Sequence, residues 1–366
     1  MLLSLSWLRT WCCLSVLVMP LGLVNDSLAE DAPDDLQWSI IAPLAPQTLL
    51  LDGTLIDDLM VVVGERGHVL LSEDMGNTWE QVRVPTRATL TGVFFSDREN
   101  GWAVGHDAVI IKTSDGGATW TRVHFAPDEE RPLLDVWFED SSHGIVIGAY
   151  GYFLETFDGG ETWEDRFFEV VGDDEAADET DEEEKEVSIA DMMDFLDDED
   201  PISDLHLNDI RSAPDGALFL AAEAGHIFRS DDVGETWKEL PSPYEGSFYG
   251  TLPLGENSLL VYGLRGNLFY SADGGQSWQQ IDVNTDAIFM GGAIVDGSPA
   301  VVGLGGTLLV AESTSGGPPV FSLLQQENRK ALATLMPGNS GELILIGENG
   351  VNTIVPGQSA SSGDAP

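Results

Sequence analysis

Ser72-Glu73-Asp74-Met75-Gly76-Asn77-Thr78-Trp79 decides how this sequence is read, because the pattern returns four more times. The later copies are Thr113-Ser114-Asp115-Gly116-Gly117-Ala118-Thr119-Trp120, Thr156-Phe157-Asp158-Gly159-Gly160-Glu161-Thr162-Trp163, Ser230-Asp231-Asp232-Val233-Gly234-Glu235-Thr236-Trp237 and Ser271-Ala272-Asp273-Gly274-Gly275-Gln276-Ser277-Trp278. The chemistry is that of a tight turn, in which the Asp side chain accepts backbone N–H groups and the Gly takes a positive φ. The Trp opens the next strand, and its roughly 150–250 Å² of apolar surface suits a seam between neighbouring sheets. Asp74, Asp115, Asp158, Asp232 and Asp273 are therefore read as turn formers and not as catalytic groups. Trp79, Trp120, Trp163, Trp237 and Trp278 are read as seam residues.

A second element precedes each box by one short apolar strand: Gly64-Glu65-Arg66-Gly67, Gly105-His106-Asp107-Ala108, Gly148-Ala149-Tyr150-Gly151, Ala222-Glu223-Ala224-Gly225 and Gly263-Leu264-Arg265-Gly266. It continues at Gly303-Leu304-Gly305-Gly306 and Gly347-Glu348-Asn349-Gly350, where the box has faded, which raises the repeat count to seven. The starts step by 41, 43, 74, 41, 40 and 44 residues. One unit is thus the length of a four-stranded propeller blade, and the long step is one unit plus an insertion. Within a unit the runs Thr91 to Phe95, Gly101 to Gly105, Val109 to Thr113 and Trp120 to Phe125 read as four short strands with turns between. The seventh unit runs out after its third strand near Val355, and an open blade would expose an unpaired edge. Leu36-Gln37-Trp38-Ser39-Ile40-Ile41-Ala42-Pro43 mimics the Trp-led outer strands and is expected to supply the missing one. The expected fold class is all-β: a seven-bladed β-propeller of four-stranded antiparallel blades over residues 30–356, closed by an N-terminal strand.

Ahead of the repeats, a lone Arg9, an apolar stretch from Trp11 to Val24 and a small-residue end at Ser27-Leu28-Ala29 have the layout of a secretory signal peptide, with cleavage near Ala29. The alternative, a retained anchor, has a short apolar core broken by Pro20 and Gly22. Cys12 and Cys13 are the only cysteines and lie in that segment. The mature chain is then expected to have no disulfide and no thiolate metal site. No later apolar run is long enough for a membrane insertion. A formal charge of −47 with only 16 Lys and Arg argues against nucleic acid as a partner. Solubility accounts for the acidity as a whole. Residues 357–366 read as a disordered tail.

These residues resemble the Asp-box, or BNR-repeat, propellers of the photosystem II stability and assembly factor type. Gly101-Trp102-Ala103-Val104-Gly105 followed by the Thr113 to Trp120 box is similar to that family's blade. The resemblance covers residues 36 to 356. It implies an extracytoplasmic assembly or accessory factor for a membrane protein complex, monomeric on its own and not an enzyme. In phototrophs that means a thylakoid-lumen factor holding a newly made photosystem II subunit; in other bacteria it means a periplasmic accessory to a membrane exporter.

The rival from another class is a sialidase-like glycoside hydrolase, whose propellers also carry Asp-boxes. That chemistry needs three arginines on a carboxylate, a Tyr nucleophile with a Glu partner and an acidic proton donor. Only Arg66 and Arg265 stand in the hairpin turns, and Arg131-Pro132 is a poor substitute for the start motif. His68 and His226 share one repeat position as strand-start residues. His106, His124, His143 and His206 lack metal-site spacing, and Gly303 to Gly306 lacks the Lys of a phosphate loop. No metal and no cofactor is expected.

In a propeller blade, the turn between the second and third strands and the link to the next blade share one face, while the Asp-box turns occupy the other. Glu65, Arg66, His106, Asp107, Ala149, Tyr150, Glu223, Leu264, Arg265, Glu348 and Asn349 therefore ring one mouth of the central channel. They are either a site for a protein partner or ordinary solvated turns. Arg66 and Arg265, cations on an anionic protein, are the leading candidates to select an acidic group. The insertion of residues 172–201 falls on the same face and is dense in Asp and Glu, so it reads as a solvating loop. Calcium is a minor alternative without an Asp-x-Asp-x-Asp-Gly loop. Within it Ile189, Met192, Met193 and Leu196 recur at helical spacing after a capping pair, Ser188 and Asp191. So short a helix needs a surface, either the propeller itself or a partner's groove.

Overall fold

The computed structural model describes residues 36–172, 205–313 and 317–356, and from Gln37 onward they belong to one compact unit. Six antiparallel sheets of four strands and one of three follow each other along the chain. Blade 1 shows the plan: an inner strand Leu50–Ile56, a second Leu59–Gly64, a third His68–Ser72 and a short outer strand Glu80–Val82. The second strands are apolar on both faces, as Leu59–Gly64 and Leu343–Gly347 illustrate, because each is covered by a blade on either side. The fold is the expected all-β, seven-bladed propeller.

Seven apolar clusters fill seven seams. The seam of blades 1 and 2 holds Val61, Val63, Leu90, Val93 and Trp120. That of blades 3 and 4 holds Trp137, Ile145, Leu220, Phe228 and Trp237. The Trp of each Asp-box faces the seam with the preceding blade: Trp120 and Trp237 are buried there, and Trp79, Trp163 and Trp278 pack against the clusters of the 7–1, 2–3 and 4–5 seams. Burial at about 25 cal/mol per Å² makes these seams, and not the polar turns, the main source of stability.

The sequence reading needs one correction, at the point of closure. Residues 36–41 form no strand, and blade 7 keeps three strands, Leu332–Pro337, Leu343–Gly347 and Gly350–Ile354. The segment instead lies along the outer edge of blade 1. The Ser39 amide donates to the Val84 carbonyl at 2.8 Å, and the Val84 amide donates to Ser39 Oγ at 2.9 Å. The Ala42 amide donates to Gln81 Oε1 at 2.7 Å, and Arg87 Nε donates to the Trp38 carbonyl at 2.8 Å. Ala42 and Ala45 then enter the seam between blades 7 and 1. The polar groups of Trp38, Ser39 and Ala42 are thus engaged on blade 1, and Pro43 and Pro46 bring no N–H to a ladder beyond them. The ring is joined by apolar packing across that seam: Gly350 lies so close that a Cβ would sit 2.0 Å from the Pro46 carbonyl oxygen.

Candidate functional site

The seven hairpin turns stand on one mouth, and a repeated backbone bond puts them there. In each, the first turn residue donates its amide to the carbonyl of the residue just before the inner strand. Glu65 to Leu49 (3.0 Å), His106 to Thr89 (2.9 Å), Ala149 to Pro132 (2.9 Å) and Glu223 to His206 (3.1 Å) are four cases. Leu264 to Ser247 (3.2 Å), Leu304 to Ile288 (2.8 Å) and Glu348 to Ala331 (2.9 Å) complete the set. Turn and inter-blade link are thereby fastened together. The next turn residue is left-handed in five blades without being glycine: Arg66, Asp107, Tyr150, Ala224 and Arg265 have φ of 57, 60, 56, 53 and 59°. That conformation costs an L-residue about 1 kcal/mol. All five are exposed at the mouth.

The ring residues differ in how they are engaged. Glu348 pairs with Lys330 at 2.6 Å, which holds its carboxyl below the usual range, and it also accepts the Ala331 amide. Glu223 accepts the His206 amide and lies 3.6 Å from that imidazole, whose ring meets Tyr150 edge-on at 5.0 Å. The Asn349 side-chain amide is 3.5 Å from Asn352 Oδ1. His106 and Asp107 are exposed, and Glu65 is half-buried. Arg66 and Arg265 are exposed and form no ion pair among the described residues. They share a turn position in blades 1 and 5, with blades 6 and 7 between them. Met192 and Leu196, with the helical spacing around them, lie outside the described residues.

The opposite face carries the Asp-boxes, each a closed hydrogen-bond circuit. Asp158 Oδ1 accepts the Thr156 hydroxyl and the Thr162 amide, both at 2.9 Å, while Oδ2 accepts the Thr162 hydroxyl at 2.6 Å. The same set recurs at Asp74, Asp115, Asp232 and Asp273. These donors favour the ionised form. The Thr162 hydroxyl above all lowers Asp158 to about 2. Thr78 and Ser277 lower Asp74 and Asp273 likewise. At Asp115 and Asp232, burial opposes the shift and the Thr119 and Thr236 bonds outweigh it. Each Asp-box carboxylate is thus held by donors of its own turn.

Between the two faces runs the channel, whose lining sequence reasoning missed. Every inner strand carries a register shift near its start, a β-bulge that turns the following residue inward. That following residue is Asp52, Asp135 and Asp209 in blades 1, 3 and 4; it is Gly92, Gly250 and Gly291 in blades 2, 5 and 6, and Thr334 in blade 7. Each carboxylate reaches the next blade. Asp52 Oδ2 accepts the Val93 amide at 2.9 Å, Asp135 Oδ2 the Ile210 amide at 3.0 Å, and Asp209 Oδ2 the Thr251 amide at 2.9 Å and hydroxyl at 3.0 Å. Asp209 Oδ1 also holds Arg211 Nε at 3.0 Å. Burial raises Asp52 to about 6 against the pull of Arg211, and raises Asp135 to about 7. Arg211 is held more basic by Asp209, although 44% of its side chain is open to the channel. Tyr262, 1% exposed, is made less acidic by burial. The signal was present in sequence: Leu50-x-Asp52, Leu133-x-Asp135 and Leu207-x-Asp209 fall in phase with the turns.

Comparison with known proteins agrees with this architecture. The family model described as photosynthesis system II assembly factor YCF48 matches residues 71–132 and 125–192, and the BNR/Asp-box repeat model matches residues 269–280. The photosystem II assembly protein Ycf48 of Thermosynechococcus vestitus is 48% identical over 44 residues, 12% of this chain and 13% of that one. The photosystem II stability/assembly factor HCF136 of rice is 31% identical over 118 residues, covering 29% of this chain and 28% of the relative. Among solved structures, YCF48 bound to D1 peptide superposes with a TM-score of 0.61 at 15% identity, over 87% of this chain and 94% of that one. YCF48 from Cyanidioschyzon merolae gives the same TM-score and identity, over 87% and 99%. The fold and its boxes define the class, a BNR-repeat β-propeller. Within that class, residues 71–192 resemble the propellers of the photosystem II assembly-factor type. The sequence matches span short parts of those relatives, and the structural likeness, at this identity, concerns the fold.

Proposed function

We propose that this protein is a non-catalytic extracytoplasmic scaffold whose turn-bearing mouth holds a segment of a membrane protein while a membrane complex is built. In a phototroph the complex is photosystem II; in another bacterium it is an exporter that the propeller serves as an accessory. The observation that carries the reading is the pair Arg66 and Arg265, exposed at one turn position and free of ion pairs among the described residues of a chain with a net charge of −47. On such a surface an isolated guanidinium selects an acidic group and rejects basic ones. The relatives support the class of partner: they are named as photosystem II assembly proteins, and one YCF48 was solved with a D1 peptide. Relatives named assembly lipoproteins support a place outside the cytoplasm.

The test is a cross-linked pull-down from the host membrane fraction with wild type and with Arg66→Glu combined with Arg265→Glu. Both side chains are exposed, so the melting temperature is expected to stay within about 1 °C while the captured membrane protein is lost. An undiminished complex with the double variant would show that the turns are only solvated.

A further inference from the structure

The channel holds three carboxylates and one guanidinium at the centre of a ring whose other bulge positions are Gly92, Gly250, Gly291 and Thr334. The facing groups are Asp52 on the inner strand of blade 1, Asp135 on that of blade 3, Asp209 and Arg211 on that of blade 4, and the Tyr262 hydroxyl on the second strand of blade 5. Each carboxylate bonds to the following blade, so together they tie blades 1 to 2, 3 to 4 and 4 to 5. Fully ionised, the set carries three negative charges against one positive, with Asp135 and Asp209 buried and Arg211 open to the channel. An uncompensated carboxylate in such a place is relieved by taking up a proton.

We propose that the channel is a proton-sensitive lock on the ring, in which protonation of Asp52 and Asp135 tightens the propeller and their ionisation loosens it. Protonation removes the repulsion among Asp52, Asp135 and Asp209 and leaves Arg211 to its 3.0 Å partner Asp209. It does not release the blades, because each neutral carboxyl group keeps a carbonyl oxygen for the amide of the next blade, Asp135 giving up instead the amide of its own neighbour Val136. Asp135 is 8% exposed and Asp209 5% exposed, so solvent screens little of the repulsion between them, whereas Asp52 is half-buried and its share is screened more. The sign follows from linkage. Asp52 and Asp135 stand at about 6 and about 7 in the fold, above the ordinary 3.8, so the folded chain binds more protons than the unfolded one across that interval. Their contribution is fully present below pH 3.8 and is lost as pH rises through 6 and 7.

The experiment is thermal melting from pH 5 to pH 8 of the wild type, Asp52→Asn, Asp135→Asn and Arg211→Gln. The wild-type melting temperature is expected to fall by roughly 5 °C across that range. Each Asn variant should flatten the dependence, since Asn keeps an acceptor oxygen and cannot ionise, and Arg211→Gln should steepen it. Asn variants with the full wild-type slope would overturn the proposal, because the slope would then belong to the anionic surface as a whole. Infrared spectroscopy of the wild type gives a second reading that does not depend on the variants folding. A protonated-carboxyl band at pH 6, where exposed acids are ionised, is expected, and its absence would overturn the lock.

Discussion

The Asp-box carboxylates and the channel carboxylates are one chemical group placed in opposite circumstances. At the rim, Asp158 receives two hydroxyls and an amide from its own eight-residue turn and stays charged to about pH 2. In the channel, Asp135 receives the Val136 amide and one amide from the next blade, in a setting that favours its neutral form up to about pH 7. Donor count and water decide the difference. The rim set contributes stability that is present above the ordinary carboxylate range and is lost as pH falls through the lowered values; the channel set does the reverse. Rim carboxylates shape a blade from within, and channel carboxylates connect blades. Breaking one of each should therefore cost different amounts and disturb different things.

The largest effect is expected from Asp209→Ala. It strips the Thr251 amide and hydroxyl of their acceptor and takes the 3.0 Å partner from Arg211. Removing one member of a buried pair costs several kcal/mol, reduced here because channel water reaches Arg211, so about 3 kcal/mol is expected. Urea unfolding followed by tryptophan fluorescence measures it. A loss no greater than that of a rim variant would mean that the channel bonds are as locally compensated as the turns.

Asp232→Ala is the rim counterpart. It removes the acceptor for the buried Ser230 hydroxyl and for the Thr236 amide and hydroxyl, of which the half-buried Thr236 groups are within reach of water. About 1–2 kcal/mol is expected. The disturbance should stay in blade 4, read by hydrogen exchange around Trp237, whereas Asp209→Ala should raise exchange in blade 5 as well. Spread of the Asp232→Ala effect across the ring would remove the distinction between turn formers and blade connectors.

The same contrast explains what could be read from sequence. Both partners of an Asp-box bond lie within four residues, as in Asp115 with Thr113 and Thr119, so the motif announces its own geometry. Channel bonds join residues 41, 75 and 42 apart, for Asp52 to Val93, Asp135 to Ile210 and Asp209 to Thr251. Those separations lie within one residue of the repeat steps, the long one spanning the insertion, so inner strands aligned by the turns would have shown them. The closing segment was misread for a different reason. Trp38 to Pro43 has a strand's apolar content, but the prolines and the side chains of Ser39 and Gln81 direct its hydrogen bonds to blade 1. Ring exposure was legible from hairpin phase alone, as Arg66 and Arg265 show; that Glu348 and Glu223 are engaged by Lys330 and His206 depends on inter-blade links whose course no local pattern reveals.

The smallest effect is expected from Tyr262→Phe, which sharpens the comparison from the channel side. The Tyr262 ring is fully packed in the seam of blades 5 and 6, and its hydroxyl adjoins Gly250 and Gly292, where an added Cβ would meet it at 2.4 and 3.1 Å. No hydrogen bond to this hydroxyl occurs among the described residues. Phe keeps the ring and its apolar contacts, and a buried hydroxyl without a protein partner has little to lose. The stability change at pH 5 is therefore expected to lie within about 0.5 kcal/mol of zero. At pH 8, with Asp52 and Asp135 ionised, an O–H donor beside carboxylates becomes worth more, so the variant should be slightly more destabilised there than at pH 5. Paired urea titrations at the two pH values measure the difference. A loss above about 1.5 kcal/mol at pH 5 would mean that the hydroxyl is a fixed member of the channel network, and the charge-based account of that network would then have to include it.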